Sequence, residues 1–361
     1  YTRQQTDTVP NISSIRNASL CSIYCSVPEY TIDNNEFAKR MFEADLSSTI
    51  NALGVLKRHI CKHRETTSLT LATDSAKSMF EDLNYDKSRI GAVIFVTLTP
   101  DCLMPNNASA AHEILGLEAN CAAFDVNHAC SGYIYGLWLS SLICCNLQKD
   151  VLLLDADTNS YYTSEKDKST GLLFGDAGSA SLIKFDEQAP SLQFCFFTDA
   201  KKREALTIPG FGFKYPLTDE SLKYKLFPDG GTRRLIDMYM DGESVFNYVV
   251  SKVPKQVRAF LDDIEMEPEE YMGLLLHQAN AFMLRQMARK IGFAIDKVPF
   301  SIQEFGNTSS VSIPLTMTFQ KDNYPFSGPY LMVGMGAGLS TGIVSIDLTS
   351  LQKLNLVYGD Y

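Results

Sequence analysis

Phe124-Asp125-Val126-Asn127-His128-Ala129-Cys130-Ser131-Gly132-Tyr133 joins a strand-like run to a helix-like run through a single cysteine. The strand is expected over residues 122–127 and the helix over 131–147, where small residues open a long apolar stretch. A thiol at such a junction faces the positive end of the helix dipole and unpaired backbone N–H groups, which favour its thiolate. That sulfur would be a nucleophile. The alternative is a small apolar residue that fills a strand–helix corner, and the segment alone leaves both readings open.

Outward from this junction, strand-like runs alternate with helix-length segments, the pattern of a layered α/β architecture. Strands are expected at 92–98 and 151–155 and a helix at 108–117. The second half repeats the theme without a strict sequence repeat: a helix at 244–264, a strand at 272–276, a helix at 282–291, and strands at 331–333 and 342–348. A chain of 361 residues exceeds what one core usually serves, so two packed halves are expected. Between them, residues 207–234 are rich in Gly, Pro and aromatics and read as a surface excursion of the kind that covers a site.

Composition narrows the function classes. A net charge of -10 disfavours nucleic acid, whose phosphates need clustered Lys and Arg. The most apolar helical stretch, 133–145, is too short for a membrane span, and the polar residues 1–16 lack the features of a secretion signal, so a cytoplasmic protein is expected. Nine cysteines without regular spacing read as buried free thiols in a reducing compartment. No metal is expected, since Cys61 and His63 lack a second pair of ligands.

Three further segments carry candidate chemistry. Leu274-Leu275-Leu276-His277-Gln278-Ala279-Asn280 sets a histidine where an apolar strand stops, either as a catalyst or as a hydrogen-bonded core residue. Phe305-Gly306-Asn307-Thr308-Ser309-Ser310 sets an asparagine in a turn, where an Asx turn or a helix cap is the plain alternative. Gly334-Met335-Gly336-Ala337-Gly338 lacks the Lys-Ser/Thr of a phosphate loop; its glycines would instead let backbone N–H groups approach a ligand, as in an oxyanion hole.

Taken in order, these segments resemble β-ketoacyl-acyl carrier protein synthase III and its relatives in secondary metabolism, over roughly residues 17–346. Phe174-Gly175-Asp176 and Met240-x-Gly242-x-x-Val245-Phe246 add to the match. The resemblance implies a thiolase-like fold of five layers, α-β-α-β-α, in two pseudo-dyad-related halves. These would be residues 17–190, carrying Cys130, and 191–361, carrying His277 and Asn307, behind a tail of residues 1–16. It implies a homodimer that needs no cofactor beyond acyl-coenzyme A or acyl-carrier-protein thioesters. Cys130 would carry the acyl group, and backbone N–H groups of Cys130 and Ala337 would form the oxyanion hole. His277 and Asn307 would stabilise the enolate made by decarboxylation of a malonyl-type thioester.

Candidate substrate- or carrier-binding residues are Lys168 and Phe282, on which family positions fall, Arg285 and Arg289, which could form a basic patch on the helix of Phe282, and Met104. Here the chain departs from the family: no Trp stands where adenine would stack, Lys168 replaces an Arg, and Phe282 replaces the carrier-binding Arg. His128 stands where a small residue is usual, and either tunes Cys130 or packs at the strand end. Rival readings on the same fold are an acyltransferase forming an ester or amide and a noncatalytic partner of another condensing enzyme. The intact Cys130, His277 and Asn307 disfavour the second, and Asn307 disfavours the first.

Overall fold

The computed structural model describes residues 10–361. Two sheets form its frame. The first has six strands in the order Lys353–Gly359, Ala18–Pro28, Asp176–Phe185, Asp150–Thr158, Ile90–Val96 and Ala122–Val126. The second has five: Ser13–Ile15, Leu192–Thr198, Ser340–Asp347, Pro329–Gly336 and Gly273–Leu276.

The two halves run in step. In the first, Ala18–Pro28 pairs antiparallel with Asp176–Phe185, which pairs antiparallel with Asp150–Thr158, which lies parallel to Ile90–Val96. In the second, Leu192–Thr198, Ser340–Asp347, Pro329–Gly336 and Gly273–Leu276 repeat that order and those directions. Only the first half adds the parallel edge strand Ala122–Val126 among the described residues.

Helices complete five layers. Gly132–Leu147 lies between the sheets, packed on Ile90–Val96 and Asp150–Thr158 on one side and on Pro329–Gly336 and Ser340–Asp347 on the other. Ser312–Phe319 shares that layer, between Ala18–Pro28 and Gly273–Leu276. Ser68–Asp82 and Asn107–Leu115 cover the first sheet, and Val253–Asp263 and Ala281–Ile291 cover the second. The order is the α-β-α-β-α of the thiolase-like fold. A helix held between two sheets needs an apolar surface all round, which explains the continuous hydrophobicity of Gly132–Leu147. Gly132 and Gly136 bring it down onto the first sheet: a Cβ at either position would lie 2.6 or 2.7 Å from the Val96 side chain.

Two sequence expectations need correction. Ser13–Ile15 is not part of a tail but an edge strand of the second sheet, and Lys353–Gly359 pairs with Ala18–Pro28 in the first. Each terminal strand therefore covers a sheet edge in the other half, which would otherwise present unpaired backbone groups. Residues 1–9 of the expected tail lie outside the described residues. The single helix expected over 244–264 is broken into Gly242–Asn247, a π turn at Tyr248–Lys252, and Val253–Asp263. Pro254 has no N–H to give the Val250 carbonyl, so the ladder slips by one residue there, and Lys290 Nζ donates to that carbonyl at 2.8 Å instead.

Candidate active site

Cys130 stands in the turn before helix Gly132–Leu147, and Asn307 stands at the matching place before helix Ser312–Phe319. His277 follows strand Gly273–Leu276. The three side chains, far apart in sequence, line one narrow cavity of about 70 Å³ together with Phe174, Leu206 and Gly336.

Cys130 is 5% exposed, and burial pushes its thiol up to about 12, with Asp157 and Asp155 adding to the rise. The Ser309 hydroxyl, 3.8 Å from Sγ, and the Cys130 backbone N–H pull the other way without prevailing. The junction is expected from sequence to favour the thiolate; in the structure desolvation outweighs the contacts that lower the thiol. Ser309 holds a left-handed backbone, φ 55°, a conformation that costs about 1–2 kcal/mol in regular structure and here accompanies its contact with sulfur. The glycine run also has a packing part. A Cβ on Gly336 would lie 2.7 Å from the Cys130 Cβ, and one on Gly334 2.9 Å from the Ser131 Cα, so these glycines make room for the cysteine turn itself.

His277 is 2% exposed, with Nδ1 2.7 Å from Ser312 Oγ. Ser312 Oγ also accepts the Gln278 N–H at 3.3 Å. Burial lowers the imidazole to about 4, against a smaller upward pull from the Ser309 backbone, so the ring is neutral at neutral pH. Asn307 is fixed at both ends of its backbone unit: its N–H donates to the Leu173 carbonyl at 2.9 Å and its carbonyl accepts the Gly175 N–H at 3.0 Å. The Phe174-Gly175-Asp176 motif thus holds the asparagine. Its Oδ1 accepts the Ser309 N–H at 2.9 Å, and its Nδ2 has no partner among the described residues.

Behind Ser309 lies a buried acid pair that sequence reading missed. Ser310 Oγ donates to Asp155 Oδ1 at 2.5 Å and lies 3.3 Å from Asp157 Oδ2, while Asp157 Oδ1 accepts the Leu98 N–H at 2.8 Å. Burial and the charge on Asp157 raise Asp155 well above the carboxylate range, and burial raises Asp157 to about 6. Ser309 and Ser310 fall inside a quoted motif and Ser312 just after it, but hydroxyls in a turn give no sign of which partners they will meet.

On its other side Cys130 opens to a second, larger cavity of about 510 Å³, which shares Phe174 and Leu206 with the first and is also lined by His128, Asn159, Ile208 and Ala337. His128 stacks on Tyr135, ring centroids 4.2 Å apart, with Nδ1 3.2 Å from Ser131 Oγ. The 207–234 excursion covers this cavity only at its roots, where Leu206–Thr207 pairs with Tyr239–Met240. Its tip projects outward, with Phe213 95% exposed. Arg233 anchors it to Asp167 at 2.9 Å and ties it internally to Asp229 at 2.7 Å.

Lys168, Phe282, Arg285, Arg289 and Met104 line neither cavity. Phe282, Arg285 and Arg289 lie exposed along one face of helix Ala281–Ile291, with Phe282 stacked on Phe246. Lys168 Nζ sits 5.5 Å over the Phe42 ring, and Met104 is 86% exposed. Among the described residues no group of three or more His, Cys, Asp or Glu side chains is gathered as a metal ion would require.

Comparison with known proteins bears on this arrangement. Residues 124–200 match the family model 3-oxoacyl-[acyl-carrier-protein (ACP)] synthase III, and residues 261–348 match its C-terminal model. The beta-ketoacyl-[acyl-carrier-protein] synthase III of Campylobacter concisus is 32% identical over 331 residues, which cover 90% of this chain and 95% of that protein. The chain belongs to the 3-oxoacyl-[acyl-carrier-protein] synthase III family. The Streptococcus pneumoniae synthase III is 30% identical over 92% of this chain and 99% of its own. In structure, a 3-oxoacyl-(acyl-carrier protein) synthase from Burkholderia xenovorans superposes with a TM-score of 0.89 at 29% identity, covering 97% of this synthase and 99% of that chain. The match spans both halves, so this synthase shares the whole fold and not one cavity wall.

Proposed function

We propose that this synthase III-like condensing enzyme loads an acyl group on Cys130 and joins it to a malonyl-type thioester, in fatty-acid-related or secondary-metabolite biosynthesis. The observation that carries the reading is the placement of Cys130 at the meeting of two cavities, one of which also holds His277 and Asn307. In the first half-reaction Sγ attacks the acyl thioester carbonyl, the thiol proton passes to the departing thiolate, and the backbone N–H groups of Cys130 and Ala337 hold the oxyanion. The acyl chain then occupies the larger cavity. The extender enters the narrower one.

Loss of carbon dioxide from the extender leaves negative charge on its thioester oxygen. Asn307 offers Nδ2, because its Oδ1 is taken by the Ser309 N–H. His277 offers Nε2–H when Ser312, which accepts the Gln278 N–H, gives its own hydrogen to Nδ1. Each aimed donor contributes about 3 kcal/mol in such a site. The enolate carbon attacks the acyl group, a C–C bond forms, and Sγ leaves. Decarboxylation itself supplies the carbanion, so no cofactor is required beyond the thioesters.

The substrates are acyl-coenzyme A and a malonyl thioester on coenzyme A or an acyl carrier protein. The acidic carrier docks against Arg285 and Arg289, with Phe282 and Lys168 near the approach. A second copy pairs along the edge strand Ala122–Val126, beside which Leu103 and Met104 stand exposed on the loop that Asn107 ties to Asp125. Nine unpaired cysteines suit action in the cytoplasm, and among the described residues no helix is long and apolar enough to cross a membrane.

Intact-chain mass spectrometry with a panel of acyl-coenzyme A thioesters tests the loading step, and labelled malonyl thioester tests condensation. Cys130→Ser is expected to abolish the mass gain, while His277→Ala and Asn307→Ala load but release no carbon dioxide. Loading that fails in all three variants would refute the division of roles. Ester or amide product without carbon dioxide would select acyl transfer instead.

A further inference from the structure

We propose that the larger cavity takes an acyl group bearing a hydroxyl, and that Asn159 is the residue that reads it; this rests on Cys130 being the acyl-carrying sulfur. Asn159 opens the short turn after strand Asp150–Thr158, lines the cavity with Cys130 and is 0% exposed. Both Nδ2 and Oδ1 are buried, and neither has a hydrogen-bond partner among the described residues.

Two other buried carboxamides, those of Asn34 and Gln278, are used at both ends. Asn34 donates to the Val55 and Leu172 carbonyls and accepts from Arg58. Gln278 donates to the Leu276 carbonyl and accepts the N–H groups of Ser301 and Ile302. Buried polar groups are retained where something pairs with them, so a donor and an acceptor left over together on a cavity wall point to a ligand that brings both. A plain alkyl chain brings neither. A hydroxyl brings both, its oxygen accepting from Nδ2 and its hydrogen going to Oδ1.

The rest of the wall limits the class further. Leu206, Ile208 and Met238 provide an apolar body for a carbon chain, with His128 and Thr207 as additional polar edges. No Lys or Arg lines the cavity, so a terminal carboxylate would lack a counter-charge. The fit is a carbon chain with one neutral polar group.

The test times Cys130 acylation by intact-chain mass spectrometry with butanoyl- and octanoyl-coenzyme A, each with and without a β-hydroxyl, and with γ-hydroxybutanoyl-coenzyme A. A hydroxyacyl thioester is expected to load with kcat/KM at least about tenfold above its unsubstituted partner, as expected where a site's polar groups must be matched. Asn159→Leu is expected to reverse the ratio and Asn159→Ala to erase it. Because each ratio is taken within one protein, partial loss of folding in a variant cancels. Equal or faster loading of the unsubstituted chains by the unaltered protein overturns the role of Asn159 and leaves that of Cys130 standing. No mass gain on Cys130 with any of the five overturns both.

Discussion

Desolvation sets the protonation states around the sulfur, and each can be tested by titration. With the Cys130 thiol held near 12, only a small thiolate fraction exists at neutral pH, so alkylation by iodoacetamide should rise about tenfold per pH unit from pH 7 to 10. A rate that levels off near pH 8 would mean an ordinary thiol. His277, lowered to about 4, stays neutral across the working range, and its effect on condensation should appear as a loss below about pH 5, not near the usual imidazole value of about 6.5. The acid pair acts on stability with the opposite sign from most carboxylates. Because Asp155 and Asp157 are raised in the folded state, their contribution is whole below about pH 4 and is lost as pH climbs through about 6 for Asp157 and higher for Asp155. Asp155→Asn should therefore flatten the decline in melting temperature between pH 5 and 8, measured against the unaltered protein; an unchanged slope would place the proton elsewhere.

Among the elements, the close approach of strand Pro329–Gly336 to the cysteine turn is the most sensitive contact. Gly336→Ala places a methyl group 2.7 Å from the Cys130 Cβ, so the turn must shift; a loss of about 1–3 kcal/mol in denaturant unfolding and a larger loss of acyl loading are expected. If loading survives unchanged, the turn has more freedom than its packing suggests. The π turn gives a second test. Lys290→Met removes the ammonium that satisfies the Val250 carbonyl beside Pro254 and should cost about 1 kcal/mol in unfolding free energy while leaving Cys130 loading alone.

For the whole molecule, the exchange of terminal strands ties the halves into one cooperative body. The exposed edge at Ala122–Val126 leaves room for a second copy. Light scattering is expected to give twice the mass of one chain. Ala122→Glu, which puts a charge on that edge where a second copy would bury it, should halve it; a protein that is already a single chain would remove the dimer from the proposal.

By itself the sequence determined the alternation of strands and helices, the apolar helix behind Cys130, and the three turns that carry Cys130, His277 and Asn307. Those signals are local: they depend on residue period, on a strand's end, or on a glycine beside a polar side chain. Strands such as Ala18–Pro28 stayed illegible because both faces are covered, which removes the polar alternation that marks a strand, and its serines and cysteines mask the apolar run. Only the tertiary structure decided that the sulfur rests protonated and that Ser309 and Ser310 link it to a buried acid pair. It alone left Asn159 without a partner on the wall of the larger cavity. A side chain's charge and hydrogen bonds depend on what surrounds it in space, and here those neighbours come from both halves of the chain.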